Sequence, residues 1–203
     1  MNEPQPLTRY IGMDSMETPR LIIRPFELTD AEAMYRNWAG DPEVTRFMTW
    51  EPYENAEGTL ERISLWIEGY AKQEEINWAI VLKEIDEPIG SIGMLTDKLA
   101  DAFDFGYCIG KKWWHKGIVA EAAKAVVDLA FQNGAYRMQA YHHPDNPNSG
   151  HVMQKVGLQL EGKLRGAAYT KVQGRYDRVV YAMLREDWEK FRSDAGAVRD
   201  IRM

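Results

Sequence analysis

The feature that most constrains this chain is the tract Gly110-Lys111-Lys112-Trp113-Trp114-His115-Lys116-Gly117-Ile118-Val119-Ala120-Glu121-Ala122. It follows an apolar run, Phe103 to Ile109, that reads as a strand. It opens another run, Val119 to Phe131, that reads as a helix. A loop running into a helix start presents backbone N–H groups without intrahelical partners, at the positive end of the helix dipole. Such a place binds phosphate without a dedicated side chain. Gly117 has no Cβ, so an anion can approach the main chain closely.

The rest of the chain alternates elements around this unit. Arg20 to Phe26 reads as a first strand. Thr29-Asp30-Ala31-Glu32 has the form of a capping box, which predicts a helix from Asp30 to Trp38, stopped by Gly40-Asp41-Pro42. Asn55 to Gln73 predicts a second helix with Leu60, Ile63, Trp66, Ile67 and Tyr70 on one face. Asn77 to Leu82 and Pro88 to Leu95 read as a hairpin around a turn at Glu84 to Glu87, and Ala102 to Ile109 as the next strand. Apolar residues at 119, 122, 123, 126, 127, 130 and 131 give the helix after Gly117 a continuous stripe, and Gly134 ends it. Tyr136 to His142 reads as a strand and Ser149 to Val156 as a short helix closed by Gly157. Leu158 to Leu164 and Arg178 to Leu184 complete the strands, with a helical or frayed end from Glu186. This order predicts a single α/β domain with a mixed, mostly antiparallel central sheet flanked by helices. We place that domain at 18–188, between a loose arm at 1–17 and a tail at 189–203.

With 203 residues the chain is long enough for one domain with a proper core. The net charge of −6 argues against a nucleic-acid module, which is usually basic. No apolar run approaches the roughly 18 residues of a membrane span. Met1 to Thr18 lacks the apolar core of a signal peptide, so the chain reads as soluble and cytoplasmic. Cys108 is the single cysteine, which excludes an internal disulfide and a cysteine-based zinc site. His142 and His143 are adjacent and point to opposite faces of a strand; with His115 and His151 they form no ligand spacing, so no metal is expected.

Trp114-His115-Lys116-Gly117-Ile118-Val119-Ala120-Glu121-Ala122 resembles the coenzyme-A pyrophosphate loop of the GNAT acetyltransferase superfamily. Asn146-Pro147-Asn148-Ser149 with Lys155-Val156-Gly157-Leu158 resembles its second signature. Thr18-Pro19-Arg20-Leu21-Ile22-Ile23-Arg24-Pro25, Glu161-Gly162-Lys163-Leu164-Arg165 and Tyr181 to Trp188 look like the RimJ/RimL-like branch. The resemblance spans about residues 17–188 and implies a GNAT fold. Three loop positions depart from the pattern: Trp114 stands where Gln or Arg is usual, Val119 replaces a small residue, and Ala120 replaces Thr. The backbone cradle does not depend on those side chains.

The resemblance implies acetyl-CoA as cofactor and acetyl transfer to a primary amine. His115, Lys116, Gly117, Ile118, Val119 and Ala120 would bind the pyrophosphate, with the amides of Lys116 through Ala120 as donors. A strand N–H at Cys108 or Ile109 would face the thioester oxygen as it gains charge. Asn146 and Ser149 would contact the cofactor, and Ser149 is a candidate acid for the leaving thiolate, although Ser is also a common helix cap. Asp104 and Glu161 are candidate bases. Some branch members carry a glutamate just before the tyrosine that Tyr169 matches; Ala168 stands there in this chain. An α-amine with a pKa of about 7.7–8.0 needs less help in losing its proton than a lysine- or polyamine-type amine at about 10.4. The resemblance to the RimJ/RimL-like branch makes a protein N-terminus the first expectation for the acceptor. The alternatives are a small amine (polyamine, amino acid or antibiotic), or an acyl-CoA-binding module without turnover. Trp50, Tyr53, Trp66 and Trp78 either line the acceptor pocket or belong to the core. A homodimer is admitted; no nucleic acid or membrane partner is expected.

Overall fold

Strand residues with alternating burial and helices with one apolar stripe assemble here around one sheet. The computed structural model describes residues 10–72, 76–97, 101–170 and 173–200. Among them the strands are β1 Met16–Glu17, β2 Leu21–Pro25, β3 Ile76–Leu82, β4 Glu87–Asp97, β5 Ala102–Ile109, β6 Arg137–His142, β7 Gln159–Thr170 and β8 Gly174–Leu184. The helices are α1 Ala31–Met34, α2 Pro42–Thr45, α3 Ala56–Lys72, α4 Ile118–Gln132, α5 Pro147–Lys155 and α6 Arg185–Asp200. The sheet order is β1-β2-β3-β4-β5-β6-β8-β7. The β5–β6 pair is parallel and the other pairings are antiparallel.

Successive side chains of a strand point to opposite faces, and β3 shows the consequence. Ile76, Trp78, Ile80 and Leu82 enter one apolar cluster with the buried stripe of α4. Ala79 and Val81 enter a second cluster with Met34 and with Ile63, Trp66 and Tyr70 of α3. The sheet is thus covered on both faces. In α4 the buried residues are Ile118, Val119, Ala122, Ala123, Val126, Val127, Ala130 and Phe131. Burying each large side chain of that stripe contributes roughly 1.5–3 kcal/mol. The stripe therefore fixes the helix direction, and with it where the helix N-terminus points.

Several expectations are corrected. Residues 10–17 are not a loose arm: Ile11 is 1% exposed in the core, Met16–Glu17 pairs with β2, and Trp78 Nε1 donates to Asp14 O at 2.9 Å. Residues 1–9, the last position of the expected 55–73 helix, and 201–203 lie outside the described residues. The first helix starts in a 3-10 turn, Leu28–Asp30, and ends in a π-turn, Tyr35–Ala39. Its capping carboxylate is Asp30, which accepts from the Glu27 amide and from Arg24, each at 2.8 Å. In α3 Thr59 is buried and Leu60 is 40% exposed, which rotates the inner face by one residue. The β7–β8 hairpin is longer than expected; register shifts at Leu160/Gly162 and Leu164/Ala168 blur its alternation. The tail is helical through Asp200.

Candidate active site

β5 and β6 pair over three residues only, Ala102–Asp104 with Arg137–Gln139. Beyond that, β5 continues with β4 to Ile109 and β6 with β8 to His142. The two strands separate and leave a wedge in the sheet. In an antiparallel ladder the N–H and C=O of one residue share a side, and sides alternate along the strand. Gly110 donates to Ile89 O at 2.9 Å, which sets the phase. Cys108 therefore faces its partner Ser91, while the amides of Tyr107 and Ile109 turn toward the wedge. Of the two expected oxyanion donors, the Cys108 amide is engaged by the ladder and the Ile109 amide lies outside it. The Cys108 thiol is buried, and burial pushes it up to about 12, against a hydrogen bond from the Ile109 amide.

The loop after β5 is held from several sides. Trp114 Nε1 donates to Ile109 O at 2.9 Å, Trp113 is buried, and Lys111 pairs with Glu43 of α2. His115 and Gly117 have positive φ, 60° and 71°. A Cβ on Gly117 would meet only Arg20 Nη2, at 3.8 Å. The left-handed backbone, more than close approach, is what requires glycine there. The first helical bond of α4 runs from Glu121 N to Gly117 O at 3.1 Å, so the amides of Ile118, Val119 and Ala120 precede the ladder. The side chains of Ile118 and Val119 are buried beneath. Lys116 differs from its neighbours, because it does not line the adjoining cavity and its carbonyl accepts from Arg20 Nη1 at 3.0 Å.

A clamp that sequence reasoning missed fixes the start of α4. Glu121 accepts from Thr18 Oγ1 at 2.6 Å, from Arg20 N at 3.1 Å and from Arg20 Nε at 2.7 Å. Burial works against ionisation of Glu121, yet the bonds from Thr18 and Arg20 and the charge of Arg20 hold its carboxyl below the usual range.

Two cavities meet in the wedge. The first, about 450 Å³, lies between the loop, the end of β5 and the start of α5; it is lined by His115, Gly117, Ile118, Val119 and Ala120. The second, about 680 Å³, reaches Trp50, Tyr53 and Trp66 on one side and Asp104, Tyr141 and Arg178 on the other. Trp78 belongs to the core. Phe47, Met48, Tyr107, Asn146 and Ser149 line both cavities.

At this junction Tyr107 Oη donates to Ser149 O at 2.7 Å and lies 2.9 Å from Ser149 Oγ. Burial pushes the phenol well above its ordinary value, and the bond to Ser149 opposes that. Ser149 is not the cap of α5. The helix begins at Pro147, Asn146 occupies the cap position, and its side chain makes no capping bond. Both side chains are thereby left to the cavities. Tyr107 was not among the expected site residues; its place next to Cys108 on β5 gave no signal.

Asp104 is half-buried. Burial raises its carboxyl above the usual range, while the charge of Arg178 and a hydrogen bond from Gln139 pull the other way. Glu161 lines neither cavity. Arg137 holds it with two bonds, 2.7 and 2.5 Å, and keeps its carboxyl below the usual range. A base must reach the amine, so Glu161 is set aside. Among the described residues no group of three His, Cys, Asp or Glu side chains could hold a metal, and no helix is long and apolar enough to cross a membrane.

A profile of the acetyltransferase (GNAT) domain matches residues 20–159. An uncharacterised N-acetyltransferase from Bacillus licheniformis, p20, is 31% identical over 87% of this chain and 99% of its own length. The ribosomal protein uS5-alanine N-acetyltransferase of Escherichia coli is 24% identical over 85% of this chain and 92% of its own. Among solved structures, the microcin C7 self-immunity acetyltransferase MccE, in complex with acetyl-CoA and AMP, superposes with a TM-score of 0.75. It shares 20% identity over 82% of this chain and 93% of that one.

Proposed function

Because this chain belongs to the GNAT acetyltransferase family, we propose that it transfers the acetyl group of acetyl-CoA to a primary α-amine, that of a protein or peptide first among them. The chain is an N-acetyltransferase by that membership; the donor's placement and the acceptor are the proposal. One observation carries it: two cavities share a wall formed by Tyr107, Asn146 and Ser149. A group transfer needs its two reactants on either side of such a junction.

The residues of the first cavity fit a diphosphate-bearing thioester. The amides of Ile118, Val119 and Ala120 would hold the diphosphate at the helix start. The amides of Tyr107 and Ile109, on the free edge of β5, would pair with an extended arm, and Ile109 would face the acyl oxygen. Acetyl-CoA, when bound, supplies an activated acyl group with a thiol leaving group. Tyr107, its proton shared with Ser149, would serve the departing sulfur, since a buried phenol with a raised pKa keeps its proton at neutral pH. Asp104 is the carboxylate of the second cavity and would take the amine's proton, directly or through water. The relative that acts on a ribosomal-protein alanine supports the α-amine reading.

The test is thiol release from acetyl-CoA across peptide N-termini, amino acids and polyamines. Release with peptides above the amine-free rate supports the proposal. Thermal stabilisation by acetyl-CoA with no release from any amine would instead identify an acyl-CoA-binding module.

A further inference from the structure

Gly106 lies in the middle of β5, a strand with neighbours on both sides in the sheet, and it is exposed. A glycine inside a strand weakens it relative to alanine, so its presence calls for a reason. Neither usual reason applies. Its φ is not positive, and a Cβ built on it would meet no atom of the described residues within 4 Å. Its cross-strand partner Gly93 is different: a Cβ there would collide with the Asn77 side chain and come within 2.9 Å of Ile76 O. Gly106 thus keeps space open rather than avoiding a clash.

The sheet shows where that space is. On β5, Phe103, Phe105 and Ile109 enter the apolar cluster shared with α4, and Cys108 enters the one shared with α3. Side chains alternate along a strand, so Gly106 opens on the α3 face, between Asp104 and Cys108. Gly93 and Gly106 stand opposite each other, and both line the second cavity. Together they leave bare main chain as its floor. Phe47, Met48, Trp50, Tyr53, Tyr141 and Tyr176 line the same cavity, each half-buried. A flat floor among rings and a thioether fits a large apolar group, which gains by leaving water. Asp104 stands two residues along the same face, roughly 6.5 Å away.

Resting on the acetyltransferase reading, we propose that Gly106 sets the range of acceptors: the side group on the carbon next to the amine is large and apolar, and it lies on the main chain of Gly106. This goes past the α-amine itself, which can bear any side group or none. With the nitrogen at Asp104, a group the size of a leucine or phenylalanine side chain reaches the floor, and a methyl group leaves it empty. In side-group size the acceptor would thus differ from the alanine on which the ribosomal-protein relative acts. A Cβ at position 106 would rise into the space that the side group takes.

The experiment titrates glycinamide, alaninamide, leucinamide and phenylalaninamide into the full-length protein saturated with CoA, by calorimetry. Leucinamide or phenylalaninamide binds about tenfold more tightly than glycinamide, the scale of a buried side group. Gly106→Ala and Gly106→Ser remove that preference. Gly106→Ala also raises Tm by about 1–4 °C, because alanine relieves a glycine in a strand; a glycine kept for structural need would make Tm fall. Equal binding of all four amides by the wild type overturns the proposal, as does binding of none. A preference that survives in both variants, or a lower Tm in both, overturns it as well. Thiol release from acetyl-CoA, measured alongside, separates the two readings. Size-selective binding without release overturns acetyl transfer and keeps the floor; release that ignores size does the reverse.

Discussion

The two cavities of the wedge are built from different material. The first offers main-chain amides at the start of α4 and on the open edge of β5, with Gly117 in a left-handed turn, beside side chains such as Phe47, Met48 and Trp114. The second is side chains, indoles, phenols, two arginines and one aspartate, drawn from α1 through β8. A site made of backbone tolerates exchange of most of its residues, since every non-proline residue brings the same N–H. On that ground a loop with Trp114, Val119 and Ala120 at its variable positions would still offer the proposed cradle. A site made of side chains changes with each substitution.

Predictions follow from this contrast. Between the cavities, at the shared wall, Tyr107→Phe removes the hydroxyl and lowers kcat about 100-fold, the size of a lost general acid, with little change in KM for acetyl-CoA. Ser149→Ala lowers kcat about tenfold, less than a full acid because Tyr107 keeps its bond to the Ser149 carbonyl. Steady-state kinetics checks both, and the reverse order would transfer the acid role to Ser149.

On the side-chain cavity, Asp104→Asn lowers kcat/KM for the acceptor by a factor of about 30, within the range of one acid–base group. As the proposed base, Asp104 would act in its ionised form, and its folded pKa lies above the ordinary 3.8. Activity therefore rises with pH through that raised value, and the asparagine variant loses this limb. An unchanged pH profile would place the base elsewhere.

On the backbone cavity, Gly117→Val forces a β-branched residue to positive φ, a strain of about 1–3 kcal/mol, and weakens acetyl-CoA about tenfold. Gly117→Asn costs less, because Asn adopts left-handed geometry more readily. The melting-temperature shift with acetyl-CoA reads both; a wild-type shift in the valine variant would remove the loop from the phosphate site.

The smallest effect is that of Glu121→Gln, about a threefold rise in KM for acetyl-CoA, from loosening a clamp whose arginine is partly exposed. Its folded pKa is depressed below the ordinary 4.5. The carboxylate thus adds stability above that pH and loses it as pH falls through the folded value. Wild type and variant should differ in denaturant midpoint at pH 7, begin to converge below pH 4.5 and coincide once pH has fallen past the folded value. A difference that persists in acid would mean that packing, not charge, holds the clamp.

The backbone cavity was the more legible of the two in the sequence. Gly117 and the stripe from Val119 to Phe131 announce a helix start, and Asn146 with Ser149 announces a second turn. Other readings failed where a local pattern has two meanings. Thr29 to Glu32 has a capping-box form, but Asp30 is drawn to Arg24 and the Glu27 amide. Glu161 resembles any solvated carboxylate until Arg137 is seen beside it. Cys108 and Ile109 are neighbours in the chain, and only the phase set by Gly110 and Ile89 decides which amide is free.

By itself the sequence determined the kinds and order of most elements and the loop that opens α4, because periods of 2 and 3.6 and the turn preference of glycine are properties of consecutive residues; the short β1 and α2 carry too few residues to show a period. Tertiary structure alone decided which side chains meet. Tyr107 and Ser149 are 42 positions apart, Arg20 and Glu121 are 101 apart, and Trp38, Trp66 and Arg178, all lining the second cavity, come from three separate elements. Sheet order and strand register bring such pairs together, and those depend on the whole core packing at once.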